Sequence, residues 1–123
     1  MYKRVNADDV EPAGLGATEA DVLPVGYHLK TENSRSNLWV LDEGDEIFRH
    51  RQREQEEVYF VYEGSVGFEV GEEGDADEFT VDADGFVAVE PEAPRKLVAR
   101  EPSRVFIAGA PFAKDDGEIL DDV

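Results

Sequence analysis

The sequence predicts an all-β protein built as a single domain. Short runs rich in Val, Phe, Tyr, Ile and Leu recur along the chain, and turn residues such as Glu63-Gly64 and Asp84-Gly85 separate them. No stretch keeps a 3.6-residue apolar period for three turns, so no long helix is expected. Many short strands at even spacing are typical of a β-sandwich or barrel. A chain of 123 residues fits one such domain with one core.

The predicted strands follow one another with little chain between them. Residues 1–24 are predicted to form an N-terminal arm, 25–110 the barrel and 111–123 a frayed acidic tail. Segment 6–24 is rich in Ala, Gly, Asp and Glu and is expected to be irregular. The predicted strands are, in chain order, residues 2–5, 25–30, 37–42, 46–51, 57–63, 65–70, 78–82, 86–90, 95–100 and 104–109.

Charge is the strongest compositional signal. Thirty acidic residues face twelve basic ones, which gives a formal net charge of −18, yet apolar residues still make up 41% of the chain. Runs such as VYFVY and RVFIA can form a core, so we expect a folded domain with an acidic surface rather than a disordered chain. This balance, with few lysines, resembles proteins of extreme halophiles; the alternative is an acidic protein with a basic partner. Binding to nucleic acid or to anionic membranes is disfavoured.

Cysteine usage and hydropathy narrow the chemistry. The chain has no cysteine, which excludes disulfides, thiolate metal sites and a thiol nucleophile. The longest nearly apolar run, VFIAGAPFA, is less than half of the ~20 residues that a membrane-spanning helix needs. No targeting segment is apparent at the N-terminus. We therefore expect a cytoplasmic protein.

Alternation along two strands points to an inward-facing polar group. In IFRHRQR, Phe48, His50 and Gln52 share one face, and the arginines at 49, 51 and 53 share the other. Because three arginines belong in water, the face with His50 should point inward. In EVYFVYEG, Glu57, Tyr59 and Val61 share a face, and the opposite face is also apolar enough to be covered, for example at a subunit interface.

The spacing of these residues resembles the first motif of the cupin superfamily. Gly44, His50, Gln52, Glu57 and Gly64 fall at its marked positions, with glutamine in place of a histidine. The second cupin motif is matched only in part. Gly85 and Pro91 fit it, whereas Ala93, Lys96 and Arg100 stand in place of its glycine, histidine and asparagine. The resemblance implies a cupin-type double-stranded β-helix, or jelly-roll barrel, that is often dimeric and has a pocket at one mouth.

The resemblance also implies a divalent ion such as Mn, Fe, Ni or Zn, held at the positions of His50, Gln52, Glu57 and Lys96. An amide is a tolerable ligand for a hard ion, but an ammonium group repels any cation. If Lys96 faces Glu57, its charge can take the place of the ion.

Three interpretations remain open. The quartet can be a buried remnant of a metal site. It can be a metal-free pocket that binds an anionic or polar small molecule through Lys96 and His50. It can also be a weak metal site with His50, Gln52 and Glu57 as ligands and open positions for substrate, as in an isomerase, decarboxylase or dioxygenase. We favour a small-molecule-binding homodimer with a degenerate metal site and leave open whether it is an enzyme.

The remaining candidates belong to the walls of the pocket. Trp39 and Phe48 are expected to line the pocket or the core, and Tyr59 to lie inward beside Glu57, where its hydroxyl can bind a ligand. His28 is expected on the surface. No serine lies where it could pair with a histidine as a nucleophile, and the glycine-rich stretch GEEGDADE is too acidic to bind phosphate.

Overall fold

A computed structural model describes residues 1–15 and 18–121 of the chain. Strands dominate it, with one short 3₁₀ helix, Ala7–Asp9, and one α-helix, α1 (Val25–Leu29). The strands are β1 (Ala13–Leu15), β2 (Thr18–Leu23), β3 (Arg35–Leu41), β4 (Glu46–Gln52), β5 (Glu56–Glu63), β6 (Ser65–Val70), β7 (Asp77–Asp82), β8 (Phe86–Val89), β9 (Arg95–Ala99), β10 (Ser103–Ala110) and β11 (Gly117–Ile119).

Antiparallel pairing joins the strands in the order β7-β6-β9-β4-β2-β3-β10-β5-β8, with β1 added to β2 and β11 to β4. The sheet wraps around one core, because alternate residues of nearly every strand meet in a single buried cluster. That cluster comprises Ala20, Val22, Trp39, Leu41, Ile47, Tyr59, Val61, Val66, Phe68, Val89, Leu97, Ala99, Val105 and Ile107. The prediction of an all-β jelly-roll barrel is confirmed.

The turn between β5 and β6 depends on glycine. Gly64 has φ of +91°, and a Cβ there would lie 2.2 Å from Oγ of Ser103 and 2.5 Å from the carbonyl oxygen of Pro102. A side chain would therefore be strained both by the backbone conformation and by the neighbouring chain. This close approach explains why residue 64 is a glycine.

The N-terminal arm is more regular than predicted. Residues 2–5 form no strand, whereas segment 6–24, expected to be irregular, contains β1 and β2. In β2, Thr18, Ala20 and Val22 are all buried, so the strand has an inward face despite its acidic composition. The prediction failed because two of these three inward residues are small and the residues between them in the sequence are acidic.

The stretch predicted as a strand at 25–30 is instead the single-turn helix α1. A helix of five residues is too short to show a 3.6-residue period in the sequence. Gly26 lets it lie directly on β3, since a Cβ there would be 2.7 Å from the backbone nitrogen of Ser36. Lys30 ends the helix in the left-handed conformation.

The described part of the predicted tail, residues 111–121, is held against the barrel rather than frayed. Residues 122 and 123 of that tail lie outside the described residues. β11 pairs with β4, so that Gly117 lies opposite Gln52 and Ile119 opposite His50. Asp116 is buried, and its carboxylate accepts hydrogen bonds from the backbone N–H groups of Glu54 and Gln55 at 2.9 Å. The acidic residue thus holds the segment that leads into β11 against the mouth of the barrel.

Candidate functional site

A cavity of about 320 Å³ lies among β3, β4, β5, β10 and the segment around β11. Its lining is mostly polar, with carboxamide, imidazole, carboxylate and guanidinium groups beside an indole ring and aliphatic side chains. The lining residues are Arg35, Asn37, Trp39, His50, Gln52, Gln55, Glu57, Ile107, Asp115, Gly117, Glu118 and Ile119. Four of the predicted pocket residues, His50, Gln52, Glu57 and Trp39, are therefore brought together at one site.

His50 faces this cavity as a neutral imidazole. Its Nδ1 lies 2.8 Å from the carbonyl oxygen of Phe48. A carbonyl can only accept, so Nδ1 carries the proton and Nε2 is left as an acceptor. Burial lowers the pKa of His50 below its usual 6.5, and this outweighs the backbone hydrogen bond and the charge of Glu57, which both raise it. The ring is therefore uncharged at neutral pH.

Glu57 is the buried carboxylate of the site. Its Oε1 accepts a hydrogen bond of 2.7 Å from the hydroxyl of Tyr59 and lies 4.0 Å from Nε2 of His50. Tyr59 is fully buried below the cavity, in edge contact with Phe68, and does not line the cavity itself. Burial, together with Glu57, raises the pKa of Tyr59 well above 10, so the phenol stays protonated and keeps donating.

Arg95, which the sequence analysis did not single out, supplies the cation of the site. It is completely buried, and its Nη1 donates to Oε1 of Glu57 at 3.1 Å. Its Nη2 donates to the carbonyl oxygen of Glu90 at 2.9 Å. Within the described part of the chain its Nε has no hydrogen-bond partner. The Glu57–Arg95 pair therefore places two compensating charges beneath the cavity.

Lys96, expected among the pocket residues, lies outside the cavity and does not face Glu57. The ammonium group of Lys96 lies 3.1 Å from Oε1 of Glu46 and 3.7 Å from Oδ2 of Asp121, and its side chain is partly exposed. The hydrogen bond with Glu46 raises the pKa of Lys96, so it remains charged on the outer face. In β9 the inward positions are 95, 97 and 99, and Arg95 lies directly opposite His50.

A β-bulge in β4 explains why Phe48 is not in the cavity. Between Ile47 and His50, three steps along β4 correspond to two along β9, since Ile47 pairs with Leu97 and His50 with Arg95. The extra residue breaks the alternation, so that Ile47 and His50 both face inward. Phe48 is half-buried and lies outside the lining of the cavity.

Arg49, which lies within the bulged part of β4, is more buried than predicted. This residue was predicted to be exposed together with the arginines at 51 and 53, but it is buried. Its guanidinium donates to the carbonyl oxygen of Gly71 and lies 3.8 Å from Oε2 of Glu69. Arg51, as expected, faces outward, where its Nε donates to Glu118 at 2.9 Å. His28 is exposed on α1, in edge contact with Tyr27.

The residues present do not fit a divalent ion. A cation bound to Oε1 of Glu57 at about 2.2 Å would lie within roughly 5 Å of the Arg95 guanidinium, because both contact the same oxygen. At an effective dielectric of 20, that repulsion amounts to about 7 kcal/mol, and an arginine side chain keeps its charge in proteins. No group of three His, Cys, Asp or Glu side chains within residues 1–15 and 18–121 could hold a metal.

Comparison with known proteins identifies the fold. No family model matches the sequence, and no curated protein matches it either. Among solved structures, a variant of Streptomyces PAC13 with uridine is 13% identical with a TM-score of 0.78, over 100% of this chain and 94% of that one. KdgF from Halomonas sp. is 16% identical with a TM-score of 0.70, over 88% of this chain and 94% of that one.

Oxalate decarboxylase from Bacillus subtilis is similar over 94% of this chain, with 17% identity and a TM-score of 0.75. The present chain spans only 31% of that enzyme's chain. One structure of the enzyme is described by its Mn(II) centres. These likenesses show a small cupin-type domain, and at such identities they show the fold alone.

The structure adds one finding on membrane association. Within the described ranges, none of the helices is long and apolar enough to cross a bilayer. The cytoplasmic location and the adaptation to high salt stay predictions from composition.

Proposed function

We propose that the barrel cavity of this protein binds an uncharged, polar group of a small molecule without the help of a metal ion. The observation that carries the proposal is the buried Glu57–Arg95 pair, 3.1 Å between Nη1 and Oε1, where an ion would have to bind. The pair cancels its own charge, and His50 is neutral beside it. At its floor the cavity therefore offers hydrogen-bonding groups rather than an uncompensated charge.

The groups around the cavity suit a ligand with hydroxyl or amide groups. Asn37 and Gln52 line it with carboxamides, each of which can donate and accept, and Nε2 of His50 accepts. Trp39 provides an apolar wall. The proposal keeps the polar ligand expected from the sequence but not an anionic group held by Lys96 and His50, since Lys96 lies outside the cavity and His50 carries no charge. That a PAC13 variant holds uridine is compatible with such a ligand in this fold.

Titration of ¹⁵N-labelled protein with uridine and with oxalate tests this proposal. We expect uridine at millimolar concentration to shift the amide signals of His50 and Gln52. Oxalate should leave them unchanged, because His50 is neutral and Glu57 already compensates Arg95, so no cation at the floor of the cavity offsets the desolvation of a dianion. Gln52→Ala should weaken uridine binding about tenfold, as expected for the loss of one or two hydrogen bonds in a cavity. Asn33→Ala removes a carboxamide from an exposed position outside the cavity; it is the matched control and should bind normally.

Two results would contradict the proposal. One is oxalate shifting these signals more strongly than uridine. The other is a stoichiometric divalent metal in protein purified without chelator, which would instead support the alternative of a metal-dependent cupin enzyme with His50, Gln52 and Glu57 as ligands.

We further propose that two copies of the chain pair through the outer face of β3, β10, β5 and β8. Phe60 stacks on Phe86 with ring centroids 4.3 Å apart, and Phe86 remains 68% exposed. The outward positions at the centre of these strands carry one charged residue, Arg104, and are otherwise apolar or aromatic. They are Leu38, Val40, Val58, Phe60, Tyr62, Phe86, Ala88, Arg104, Phe106 and Ala108. We call these ten residues the aromatic face.

Charge limits which faces two copies can bring together. Two chains of −18 repel each other, so they can approach only where acids are sparse, and the same face on both copies forms a self-complementary contact. Light scattering in 1 M KCl should give the mass of a dimer for the wild type and of a monomer for Phe86→Glu. Tyr2→Glu adds the same charge at another exposed aromatic and should stay dimeric. A monomeric wild type would refute this pairing.

A further inference from the structure

A second cavity, of about 560 Å³, adjoins the barrel cavity on its outer side. It lies between α1, β3 and the segment that follows β10. Tyr27 and Phe112 are its aromatic residues, and Lys114 lies at the same site. Three residues, Arg35, Asn37 and Asp115, line both cavities. We call this second cavity the outer cleft; the three shared residues separate it from the barrel cavity by no more than their side chains and backbone.

The walls of the outer cleft are held in place. On one side, Gly26 allows α1 to pack directly on the backbone of Ser36. On the other side, the carbonyl oxygen of Pro111 accepts a hydrogen bond of 3.0 Å from Gln55, and that of Asp115 accepts one of 3.1 Å from Arg53. A cleft with both walls fixed in this way does not have to be ordered by a ligand, which lowers the entropic cost of binding.

The chemistry of the outer cleft differs from that of the barrel cavity. Tyr27 is 79% exposed and Phe112 is 49% exposed, so both rings offer apolar surface. The guanidinium carbon of Arg35 lies 6.0 Å from the centre of the Phe112 ring. Arg35 and Lys114 place two positive charges beside the single carboxylate of Asp115, in a chain whose net charge is −18. Aromatic faces with an excess of cations suit a flat group that carries negative charge.

We propose that the outer cleft binds an aromatic acid group, which forms the outer end of the same ligand whose polar end enters the barrel cavity. The link to the barrel cavity rests on the function proposed above, whereas the binding of an aromatic acid in the outer cleft does not. The full ligand is then an elongated molecule with a hydroxyl- or amide-bearing end and an aromatic carboxylate end.

The test uses 4-hydroxybenzoate, which represents the outer end alone, and NMR titration of the labelled full chain. We expect its shifts to centre on the amides of Tyr27, Ser36 and Lys114. Lys114→Gln and Phe112→Ala should each weaken binding about tenfold, through loss of a charge and of a stacking surface. Phe79→Ala removes an exposed ring on β7, away from the cleft, and should leave binding unchanged.

The outcomes separate the two proposals. Absence of shifts at millimolar 4-hydroxybenzoate, or shifts that persist in both cleft variants, would overturn the aromatic-acid site. Failure of uridine to shift His50 and Gln52 would instead overturn the function proposed for the barrel cavity. The shared ligand is tested with 4-carboxyphenyl β-D-glucoside, which should bind at least tenfold more tightly than either 4-hydroxybenzoate or methyl β-D-glucoside; equal affinities would refute a continuous site.

Discussion

Replacing Arg95 with methionine is expected to lower the free energy of unfolding by about 3–5 kcal/mol, because it leaves the buried carboxylate of Glu57 without its cation. Arg95 is fully buried and Glu57 nearly so, and within the described residues no other arginine or lysine forms an ion pair with Glu57. The hydroxyl of Tyr59 would still donate to Oε1, but a neutral donor compensates a buried charge only in part. Chemical denaturation of both proteins at pH 7 measures the difference.

Two further variants show whether charge is the cause. Glu57→Gln combined with Arg95→Met removes both charges and should lose less stability than Arg95→Met alone. Arg49→Met is the matched control, since Arg49 is also buried but its ionic partner Glu69 has a side chain that is 42% exposed and can be hydrated. It should therefore cost less than Arg95→Met. A double variant as unstable as Arg95→Met would show that Arg95 acts through packing.

Alternation predicted the part of the site that lies on regular strands. In β5 the pattern of Glu57, Tyr59 and Val61 inward and Val58 and Tyr62 outward is confirmed by their burial. From Glu57 to Val61 the pairing with β10 and β8 is regular, so a period of two holds over this part of the strand. The register shift with β10 comes only beyond Val61, at the end of the strand. The sequence could therefore place Glu57 beside the core without any knowledge of its neighbours.

Alternation failed in β4 because a bulge cannot be recognised from the residues alone. Because of the inserted residue, Ile47 lies in the core where Phe48 was expected. Arg49, expected in water, is buried. In β9 the motif spacing favoured Lys96, while the alternation of Arg95, Leu97 and Ala99 already pointed to Arg95 as the inward residue. The alternation of the strand is thus a better guide here than the spacing of a partly matched motif, because it identifies Arg95 as the buried cation.

The remaining misses concern contacts between distant parts of the chain. Asp116 looks like one more acid in an acidic tail, and only the fold shows that backbone N–H groups of Glu54 and Gln55 bind it. Asn37 and Arg35 reach the cavity because β3 borders β10 and β2, a neighbourhood that no local pattern encodes. Local periodicity thus predicts which face a residue occupies, whereas the composition of the cavity depends on strand order.

Replacing the buried cation by a ligand is expected to create a metal site. In R95H the charge beside Glu57 disappears, and an imidazole is placed on β9 opposite His50. Removing a repulsion of about 7 kcal/mol should strengthen binding greatly; even a third of it corresponds to about fifty-fold in affinity. An imidazole and a carboxylate are also ligands that Zn²⁺ accepts readily. Calorimetric titration of wild type and R95H with ZnCl₂ measures the change.

The control for this prediction is R95M, which removes the same charge but adds no imidazole. Zinc at one hundred times its dissociation constant stabilises a protein by about 2.7 kcal/mol, so the melting temperature gives a second measurement. We expect Zn²⁺ to raise the melting temperature of R95H more than that of R95M or of the wild type, each compared with its own metal-free form. An R95H protein that binds zinc no better than the wild type would mean that the charge of Arg95 does not keep metal from Glu57, and the metal-free assignment of the cavity would lose its physical basis.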